Sequence, residues 1–442
     1  MKAKNLSRKF KKDKIKFVQL QFTDIFGVVK SVLIPIHRLA DSLGAGVWFD
    51  GSSIEGFARI AESDMYLKPD PSTYAVIPWL ASDGGNTARF ICDVYNADGE
   101  PFPGDPRYIL KKVLAEASKM GFEYMTGPEL EFFLFKKENG CVKILPSDTA
   151  GYFDLSTDQA YDVRKDMTVT LGKLGIDVET SHHEVARGQH EIDFKYDNAL
   201  KTADNAVTLR FVLKAVAQKY GLHATFMPKP ITDINGSGMH VHQSLFKNKK
   251  NKFFDKNDKY KLSKIAYHFI AGQLAHAKAM SAVLSPTVNS YKRLVVGYEA
   301  PVYISWARMN RSALIRIPRI FKNAPQSTRA ELRCPDPSCN IYFAFAVMLA
   351  AGLDGIKKKL KAPKPIEEDV FGFSDEKLEK LNISKLPHSL WQALKELGRD
   401  KIIKDALGKH TYEKYIEAKK KEWDEFRIQV TEWELKKYLE IY

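Results

Sequence analysis

The chain has 442 residues, 44% of them hydrophobic and 28% charged, and a formal net charge of +14. This composition is ordinary for a globular protein, and the length is sufficient for two or three domains. The longest apolar run, residues 341–351, is too short to span a bilayer, and no signal-peptide pattern opens the chain. We therefore expect a cytoplasmic protein with no membrane partner.

Neither the positive charge nor the cysteines indicate a nucleic-acid-binding protein or a zinc site. Residues 2–16 carry eight Lys or Arg and one acid, so much of the excess lies in one short arm. Such an arm is more often a solvated face than a nucleic-acid site, and no nucleic-acid-binding signature occurs. Cys334 and Cys339 lack a second nearby pair, which favours reduced thiols over a zinc site.

The N-terminal segment predicts a β-hairpin and then a domain boundary. Residues 17–22 alternate apolar and polar side chains, residues 24–27 form a turn, and residues 28–33 return as a second strand. Breaker residues at 100–106 mark our preferred boundary, with Asp105 capping a helix to about Met120. This organisation predicts two domains, residues 1–104 and 105–442.

The remaining elements follow from the spacing of apolar residues. Strands are predicted at 122–135, 176–179, 190–196, 223–227 and 239–246, and helices at about 157–174, 260–283 and 339–357. A lysine-rich amphipathic tail begins at Lys409. Its apolar stripe contains Tyr412, Ile416, Trp423, Phe426, Val430 and Trp433.

Acidic and imidazole side chains interrupt several of the predicted strands. Glu129 and Glu131 share one strand face, as do His240 and His242, and residues 182–193 add further acids. Burying such acids is costly unless something compensates their charge. Carboxylates with an imidazole suit Mg²⁺ or Mn²⁺, so the pattern predicts a metal-dependent enzyme.

Six motifs together resemble type I glutamine synthetase over nearly the whole chain. They are Phe49-Asp-Gly-Ser-Ser53, Gly127-Pro-Glu-Leu-Glu131, Asn235-Gly-Ser-Gly-Met-His240, Asn289-Ser-Tyr-Lys-Arg-Leu294, Arg308-Met-Asn-Arg-Ser312 and Ala330-Glu-Leu-Arg333. The resemblance implies an α+β fold with a small N-terminal β-grasp-like domain. A larger catalytic domain with an antiparallel sheet and flanking helices would follow. The implied reaction joins ammonium to glutamate with ATP, through a γ-glutamyl phosphate, in nitrogen assimilation.

The resemblance also implies roles for individual residues. Two core metal sites would use Glu131, Glu184 and Glu191, and Glu129, His240 and Glu331. A third ion would accompany the nucleotide. Glutamate would contact Asn235, Gly236 and Arg293, with Arg311 and Arg333 at the reacting oxygens. ATP would contact Glu179, Tyr196, His242, Ser244, Arg316 and Arg329, and the glutamate side of the pocket is the alternative place for His242.

The ammonium site and the regulation are likewise implied by resemblance. Asp50, with Ser53, would bind ammonium and accept a proton. Glu299 lies in residues 297–301, which look like the family's mobile flap, although Val296 replaces the usual proline. Phe371 occupies about the position of the β-subtype's adenylylated tyrosine, so the chain looks like the α-subtype, with Arg59 as a feedback sensor.

The same resemblance implies two stacked six-membered rings, in which Asp50 comes from a neighbouring subunit. A PII-type nitrogen sensor and 2-oxoglutarate are further candidate partners. Two alternative functions remain. The chain could be a γ-glutamyl ligase that uses an amine instead of ammonium, or a catalytically silent assembly protein. Asp50, Ser53 and Glu299 argue against the former, and the complete ligand set argues against the latter.

Overall fold

The computed structural model describes residues 3–54, 56, 64–82, 84–146, 148–298, 300–320 and 324–442. Its N-terminal part forms a mixed sheet of six described strands. These are β1 Ile15–Thr23, β2 Val29–Pro35, β3 Val47–Asp50, β4 Asp64–Pro69, β5 Ala75–Val76 and β6 Asn86–Asn96. The sheet order is β2-β1-β6-β4-β3, with β5 also paired to β6, and β1 runs parallel to β6. Helices α1 Ala3–Lys12 and α2 Leu39–Ala45 accompany this sheet.

The predicted N-terminal hairpin is confirmed. Strands β1 and β2 pair antiparallel, from Thr23 opposite Val29 outward. The Asp24 carboxylate accepts the N–H groups of Phe26 and Val28 at 3.0 and 2.9 Å, and Gly27 has φ +75°. The turn therefore uses a short acid as its hydrogen-bond acceptor and a glycine where the backbone is left-handed.

A second sheet of eleven described strands forms the larger part of the molecule. Its strands are β7 Glu123–Glu138, β8 Cys141–Pro146, β9 Val178–His183, β10 Gln189–Phe194, β11 Asp197–Asn198, β12 Leu222–Thr225, β13 Met239–Lys247, β14 Lys250–Asn251, β15 Tyr303–Ala307, β16 Ala313–Arg316 and β17 Ala330–Leu332. The main order is β15-β16-β17-β13-β7-β10-β9. All described pairs in it are antiparallel except β15 with β16. The expected antiparallel sheet is therefore present, with one parallel pair at its edge.

Helices pack against this sheet and build the main core. They are α3 Pro106–Lys119, α4 Tyr161–Lys173, α5 Ala199–Lys219, α6 Lys264–Ala275, α7 Ala277–Leu284, α8 Ser290–Arg293, α9 Ile341–Lys358, α10 Asp375–Lys380, α11 Leu390–Arg399, α12 Lys401–Leu407, α13 Lys409–Arg427 and α14 Glu432–Tyr438. The predicted buried helix is α9, whose first nine residues are all buried. The predicted helix from Asp105 is α3, with the Asp105 carboxylate accepting the Arg107 N–H.

Two helix predictions were wrong in detail. The helix expected from residue 157 or 158 begins at Tyr161, because the Asp158 carboxylate instead binds the Ala160 N–H and the Arg164 guanidinium. The single helix expected over 260–283 is two helices that meet at His276. The His276 ring binds Asp354 on α9 and Asp400, which caps α12, so tertiary contacts form at the junction of the two helices.

The predicted continuous tail stripe is also interrupted. Helix α13 ends at Arg427, and Thr431 starts α14 with a capping box. Ile416 and Trp423 pack against the main core, whereas Val430 and Trp433 are 69% and 63% exposed. Across the described ranges, no helix has both the length and the apolar character needed to cross a membrane.

The two sheets meet through polar contacts around the first hairpin. Asn340 donates to the carbonyls of Asp24 and Ile25, both at 3.2 Å. Arg107 of α3 forms ion pairs with Asp70 and Asp93 at 2.8 Å each. A smaller hydrophobic core lies under the N-terminal sheet, and the main core lies under the second sheet. The boundary at residue 104 stays a prediction.

Candidate active site

Strand register collects the predicted acids and imidazoles on one face of the second sheet. His240 of β13 lies opposite Glu129 of the central strand β7. On the other side of β7, Glu191 of β10 lies opposite Glu131. Glu331 of β17 lies opposite His242. Because side chains alternate along a strand, the opposite face of β7 carries the buried Leu130, Phe132 and Leu134.

Glu129, His240 and Glu331 form the first cluster. Their ligand atoms lie within 4.8 Å of one another. His240 Nδ1 is 3.3 Å from Glu129 and 3.9 Å from Glu331. Burial, together with the nearby Arg333, lowers the pKa of His240 to about 4, so the ring is neutral at pH 7. A neutral imidazole beside two carboxylates is a competent donor set for a divalent cation.

Arginines surround the buried carboxylate of Glu331. Its two oxygens bind Arg316 Nε and one terminal nitrogen of Arg333, each at 2.7 Å. Burial would raise the pKa of Glu331, but His242 and Arg333 outweigh it and leave the pKa below its ordinary value. The carboxylate is therefore ionised, and the two arginines are held at the edge of the cluster.

The second cluster differs from the predicted set of three. It contains His182, Glu184 and Glu191, with His182 Nε2 3.3 Å from Glu191 and Nδ1 3.5 Å from Glu184. Glu131 instead accepts the Gln189 side-chain N–H at 2.9 Å and the Gly238 N–H at 2.8 Å. Sequence reasoning missed His182, although it directly precedes His183-Glu184.

Two carboxyls on this face, Glu131 and Glu191, have raised pKa values. Burial, together with the neighbouring Glu184, raises the pKa of Glu131 to about 8. Burial and the nearby Asp193 also raise the pKa of Glu191 strongly. Arg293 and Arg333 lower the pKa of Glu131, but burial and the neighbouring acid outweigh them. The donor set therefore fits hard divalent cations, which would supply the missing positive charge.

Tyr152 is a second residue that sequence reasoning missed. Its ring stacks on the Phe153 ring, with 3.9 Å between the two centroids. Both rings contact the His182 ring edge to face. Burial raises the pKa of Tyr152, and Glu184 and Glu191 raise it further, which indicates that the phenol lies near the second cluster. No acid or histidine pattern marks position 152, so only the fold reveals this neighbour.

Arg293 lies beneath the Gly-Ser-Gly turn. Its guanidinium donates to the carbonyls of Arg333, Cys334 and Pro335 at 2.9–3.2 Å. A Cβ atom on Gly238 would lie only 2.6 Å from an Arg293 terminal nitrogen, so this close approach requires glycine. Gln189 also donates to the Gly236 carbonyl at 3.2 Å, which links this turn to Glu131.

A cavity of about 370 Å³ opens beside the first cluster. Its walls include five of the six residues expected at the nucleotide, namely Glu179, Tyr196, His242, Ser244 and Arg329. The sixth, Arg316, binds Glu331 as described above. His242 Nε2 donates to Glu129 at 2.7 Å while Arg329 Nε donates to His242 Nδ1 at 3.2 Å. One histidine thus connects the cavity to the cluster.

The other predicted residues are not among the ligand atoms of the two clusters, or lie outside the described residues. Asp50 ends β3 on the N-terminal sheet, where its carboxylate accepts the Ser52 N–H at 2.8 Å, and the exposed Ser53 follows. Arg311 is exposed in the turn before β16. Asn235 is partly buried in the turn before β13. Glu299 and Arg59 lie outside the residues that the structure describes.

Comparison with known proteins agrees with this geometry. Residues 14–97 match the family model for the glutamine synthetase β-grasp domain, and residues 103–438 match the model for the catalytic domain. A glutamine synthetase of Thermotoga maritima is 52% identical, covering 99% of this chain and 100% of that protein.

Two solved structures have the same architecture. A GmaS–ADP complex superposes with a TM-score of 0.88 at 33% identity, covering 98% of this chain and 99% of the other. A Plasmodium falciparum glutamine synthetase gives a TM-score of 0.88 at 27% identity, with 99% of each chain covered. The chain therefore belongs to the glutamine synthetase family, and its reaction is ATP-dependent glutamine synthesis.

Proposed function

We propose that the acid face of the second sheet is where ATP phosphorylates the γ-carboxylate of glutamate and ammonium then displaces the phosphate. One observation carries this proposal: Glu129 belongs both to the first cluster and to the wall of the 370 Å³ cavity. A nucleotide in that cavity would direct its phosphates toward the cluster. The γ-glutamyl phosphate would then form where the cavity meets the first cluster.

Two metal sites follow from the two clusters. Glu129, His240 and Glu331 would hold one Mg²⁺ or Mn²⁺ ion. The other would use Glu184 and Glu191 of the second cluster and Glu131, which lies opposite Glu191 on the neighbouring strand, with His182 at the edge of the site. When bound, these ions supply positive charge that offsets the repulsion between two anionic reactants. A third ion with the nucleotide would complete the set. The predominance of oxygen ligands supports Mg²⁺ or Mn²⁺ over zinc.

Arginine side chains would stabilise the transferring phosphoryl group. Arg333 and Arg316 are held at Glu331 by charge-assisted hydrogen bonds, so they need no rearrangement to meet an anion there. Arg311, being exposed, would close onto the substrate. Arg293 would bind the α-carboxylate of glutamate, with Asn235 and Gly236 beside it.

The ATP contacts would use the cavity described above. Tyr196 is 46% exposed and offers a ring face for the adenine, while Ser244 and Glu179 offer polar contacts. Arg329 and His242 lie between this cavity and the first cluster, where the phosphates would lie.

Ammonium would be bound and deprotonated by Asp50 with Ser53 and Glu299. Ammonium is protonated at pH 7 and becomes a nucleophile only after losing a proton to a base. Asp50 lies on the N-terminal sheet, which supports the proposal that it completes the site of a neighbouring subunit. The flap, residues 297–301, would exclude water from the acyl phosphate.

Assembly, subtype and location are further parts of the proposal. The exposed apolar tail supports two stacked hexameric rings. Phe371 is partly buried and packs against Tyr303, with 6.1 Å between the two ring centroids. It has no hydroxyl to adenylylate, which supports the α-subtype. Arg59 would sense bound glutamine, with 2-oxoglutarate and a PII-type sensor as further effectors. Four free cysteines support a cytoplasmic location.

The decisive experiment supplies glutamate, ATP, Mg²⁺ and ¹⁵N-ammonium and follows glutamine, ADP and phosphate together. We expect the three products in equal amounts and no product after exhaustive chelation. Methylamine and longer amines in place of ammonium test nucleophile selectivity, and we expect ammonium to be strongly preferred. Full activity without metal, or a preference for an amine, would contradict the proposal.

A further inference from the structure

Lys229 lies near the start of the segment that carries the predicted glutamate contacts. We call residues 228–237, which include Asn235 and Gly236, the glutamate loop. The Lys229 N–H donates to the Asn289 side chain at 2.8 Å, and the Asn289 amide donates back to the Lys229 carbonyl at 3.0 Å. Asn289 directly precedes α8, which ends with Arg293. The start of the glutamate loop is thereby fixed to the helix of Arg293.

The Lys229 side chain makes two further contacts in different directions. Its ammonium donates to the Ile234 carbonyl and so closes the glutamate loop on itself. The same nitrogen lies 3.8 Å from the centroid of the Tyr298 ring. Tyr298 belongs to the flap and immediately precedes Glu299 in the sequence. One ammonium group therefore contacts both the glutamate loop and the flap.

A second contact runs between the same two segments. The Tyr298 hydroxyl lies 3.4 Å from an Asp233 carboxylate oxygen. Asp233 has φ +62°, a conformation that few residues other than glycine adopt. The chain thus holds Asp233 in an uncommon backbone conformation at the position where it meets the flap tyrosine.

Partial burial strengthens the ammonium–ring contact. Burial lowers the pKa of Lys229, which indicates that its nitrogen has lost part of its water shell. A partly desolvated cation interacts more strongly with an aromatic face than an exposed one does. Moving the flap away would leave this ammonium with the Ile234 carbonyl but without the ring.

We propose that Lys229 is a positioning residue that couples the glutamate loop to the flap, so that a loop ordered around glutamate favours the closed flap. This inference rests on the proposed roles of the loop and the flap. It adds a residue to the site that contacts neither the metal clusters nor the nucleotide cavity. Its function is to keep water from the acyl phosphate until ammonium reacts.

Loss of this coupling has a defined chemical consequence. Water would add to the acyl carbon of γ-glutamyl phosphate, the bond from that carbon to the phosphate oxygen would break, and glutamate and inorganic phosphate would leave. The net reaction is then hydrolysis of ATP to ADP and phosphate. The ratio of ADP to glutamine therefore measures how well the flap is positioned.

The test compares Lys229→Met, which removes the cation, with Lys229→Arg, which keeps it. For Lys229→Met we expect the ADP-to-glutamine ratio to rise above one and the KM for glutamate to rise about 3- to 30-fold, as for loss of a partly desolvated cation–π contact. Lys229→Arg should restore both values to near those of the parent. Lys395→Met is a matched control, because Lys395 lies over the Trp391 ring at 5.0 Å, far along the chain on α11.

Variants at Tyr298 keep the test decisive if Lys229→Met folds poorly. Tyr298→Leu should raise the same ratio, Tyr298→Phe should raise it less, and the double variant Lys229→Met/Tyr298→Leu should add little to either single change. If Lys229 and Tyr298 only stabilised the fold, their variants would have a lower melting temperature and kcat but an ADP-to-glutamine ratio of one. A parent that makes no glutamine contradicts the proposed function, whereas an active parent with an unchanged ratio in both variants contradicts the role of Lys229.

Discussion

Each carboxylate on the acid face has a distinct set of neighbours. Glu331 contacts two arginines, Glu129 contacts two histidines, and Glu131 accepts two N–H groups. Burial would raise the pKa of Glu129, but its bonds to His240 and His242 outweigh burial and hold the pKa well below the ordinary value. Glu191 has acids as its charged neighbours, so the second cluster has the greater need of a cation.

The first prediction concerns metal binding at these carboxylates. Glu331→Gln removes one ligand charge from the first cluster while keeping its size. We expect Mn²⁺ affinity to fall at least about 10-fold, since even changes behind the ligands cost 10- to 100-fold. Calorimetry and Mn²⁺ electron paramagnetic resonance measure this without turnover. Glu123→Gln, at the exposed start of β7, is the control, and equal Mn²⁺ affinity in both variants would remove Glu331 from the metal site.

At the level of secondary-structure elements, the alternation of apolar and polar residues in the sequence predicted strands. The hairpin at residues 17–33 and the strand around Glu129 were predicted because apolar and polar side chains alternate there. The pairing of Glu129 with His240 was implied by the family motifs, since strand order depends on contacts between distant segments. The N-terminal cap of α3 was predicted because Asp105-Pro106 is a strong local signal.

Predictions failed where tertiary contacts override local pattern. Asp158 looked like a helix cap, but a buried arginine, Arg164, takes its carboxylate. His276 lies where a long helical pattern is interrupted, and its ring binds two acids that are distant in the chain, Asp354 on α9 and Asp400 at the start of α12. Tyr152 carries no motif, and only packing against His182 reveals it. Such partners are far apart in the chain, so spacing alone gives no sign of them.

The second prediction concerns the pH dependence of the His276 junction. Burial would lower the pKa of His276, but hydrogen bonds to Asp400 and Asp354 outweigh it and raise the pKa above 6.5. Its contribution to stability is therefore complete below pH 6.5 and is lost as pH rises through the folded-state pKa. Asp400 has a lowered pKa, because its bond to His276 outweighs burial, and its contribution is lost only in acid, below pH 3.8.

We therefore expect Asp400→Asn to lower the melting temperature more at pH 6 than at pH 8.5. Differential scanning calorimetry at both pH values measures the difference. Asp405→Asn is the matched control, because the Asp405 carboxylate pairs with Lys401 at the surface of the same helix. An equal effect of Asp400→Asn at both pH values would show that the charged form of His276 does not stabilise the junction.

The third prediction concerns Asn340, which caps α9 and contacts the first hairpin. Its side-chain oxygen accepts the N–H groups of Tyr342 and Phe343, while its amide donates to Asp24 and Ile25. Asn340→Ala should cost about 2 to 3 kcal/mol, from a lost cap and two lost hydrogen bonds. Asn340→Asp keeps the cap but loses the amide donors, so it should separate the two effects. Denaturant unfolding measures both, and identical stability of the two variants would contradict this division.

At the scale of the whole molecule, the tail is the surface that most needs a partner. Ile428, Val430, Leu439 and Ile441 are each about 70% exposed, and Trp433 is 63% exposed. The residues before them, in α13, pack on the main core through Tyr415, which is 2% exposed. Large apolar groups gathered on one exposed segment mark an interaction site more often than a free surface. The proposed opposite ring would cover them.

The fourth prediction follows from where α13 ends. Deleting residues 428–442 leaves α13 complete and removes the exposed apolar segment, so the subunit should fold while the particle separates into single rings or smaller species. Activity should fall less than assembly, because the residues of the acid face all precede the tail. Light scattering measures the mass, and Val430→Ser/Trp433→Ser should weaken assembly in the same direction. Lys436→Ala/Lys437→Ala, on the same segment, is the control for a charge effect. If the truncated protein keeps the mass of the intact one, the rings are held by another surface and the tail has a different partner.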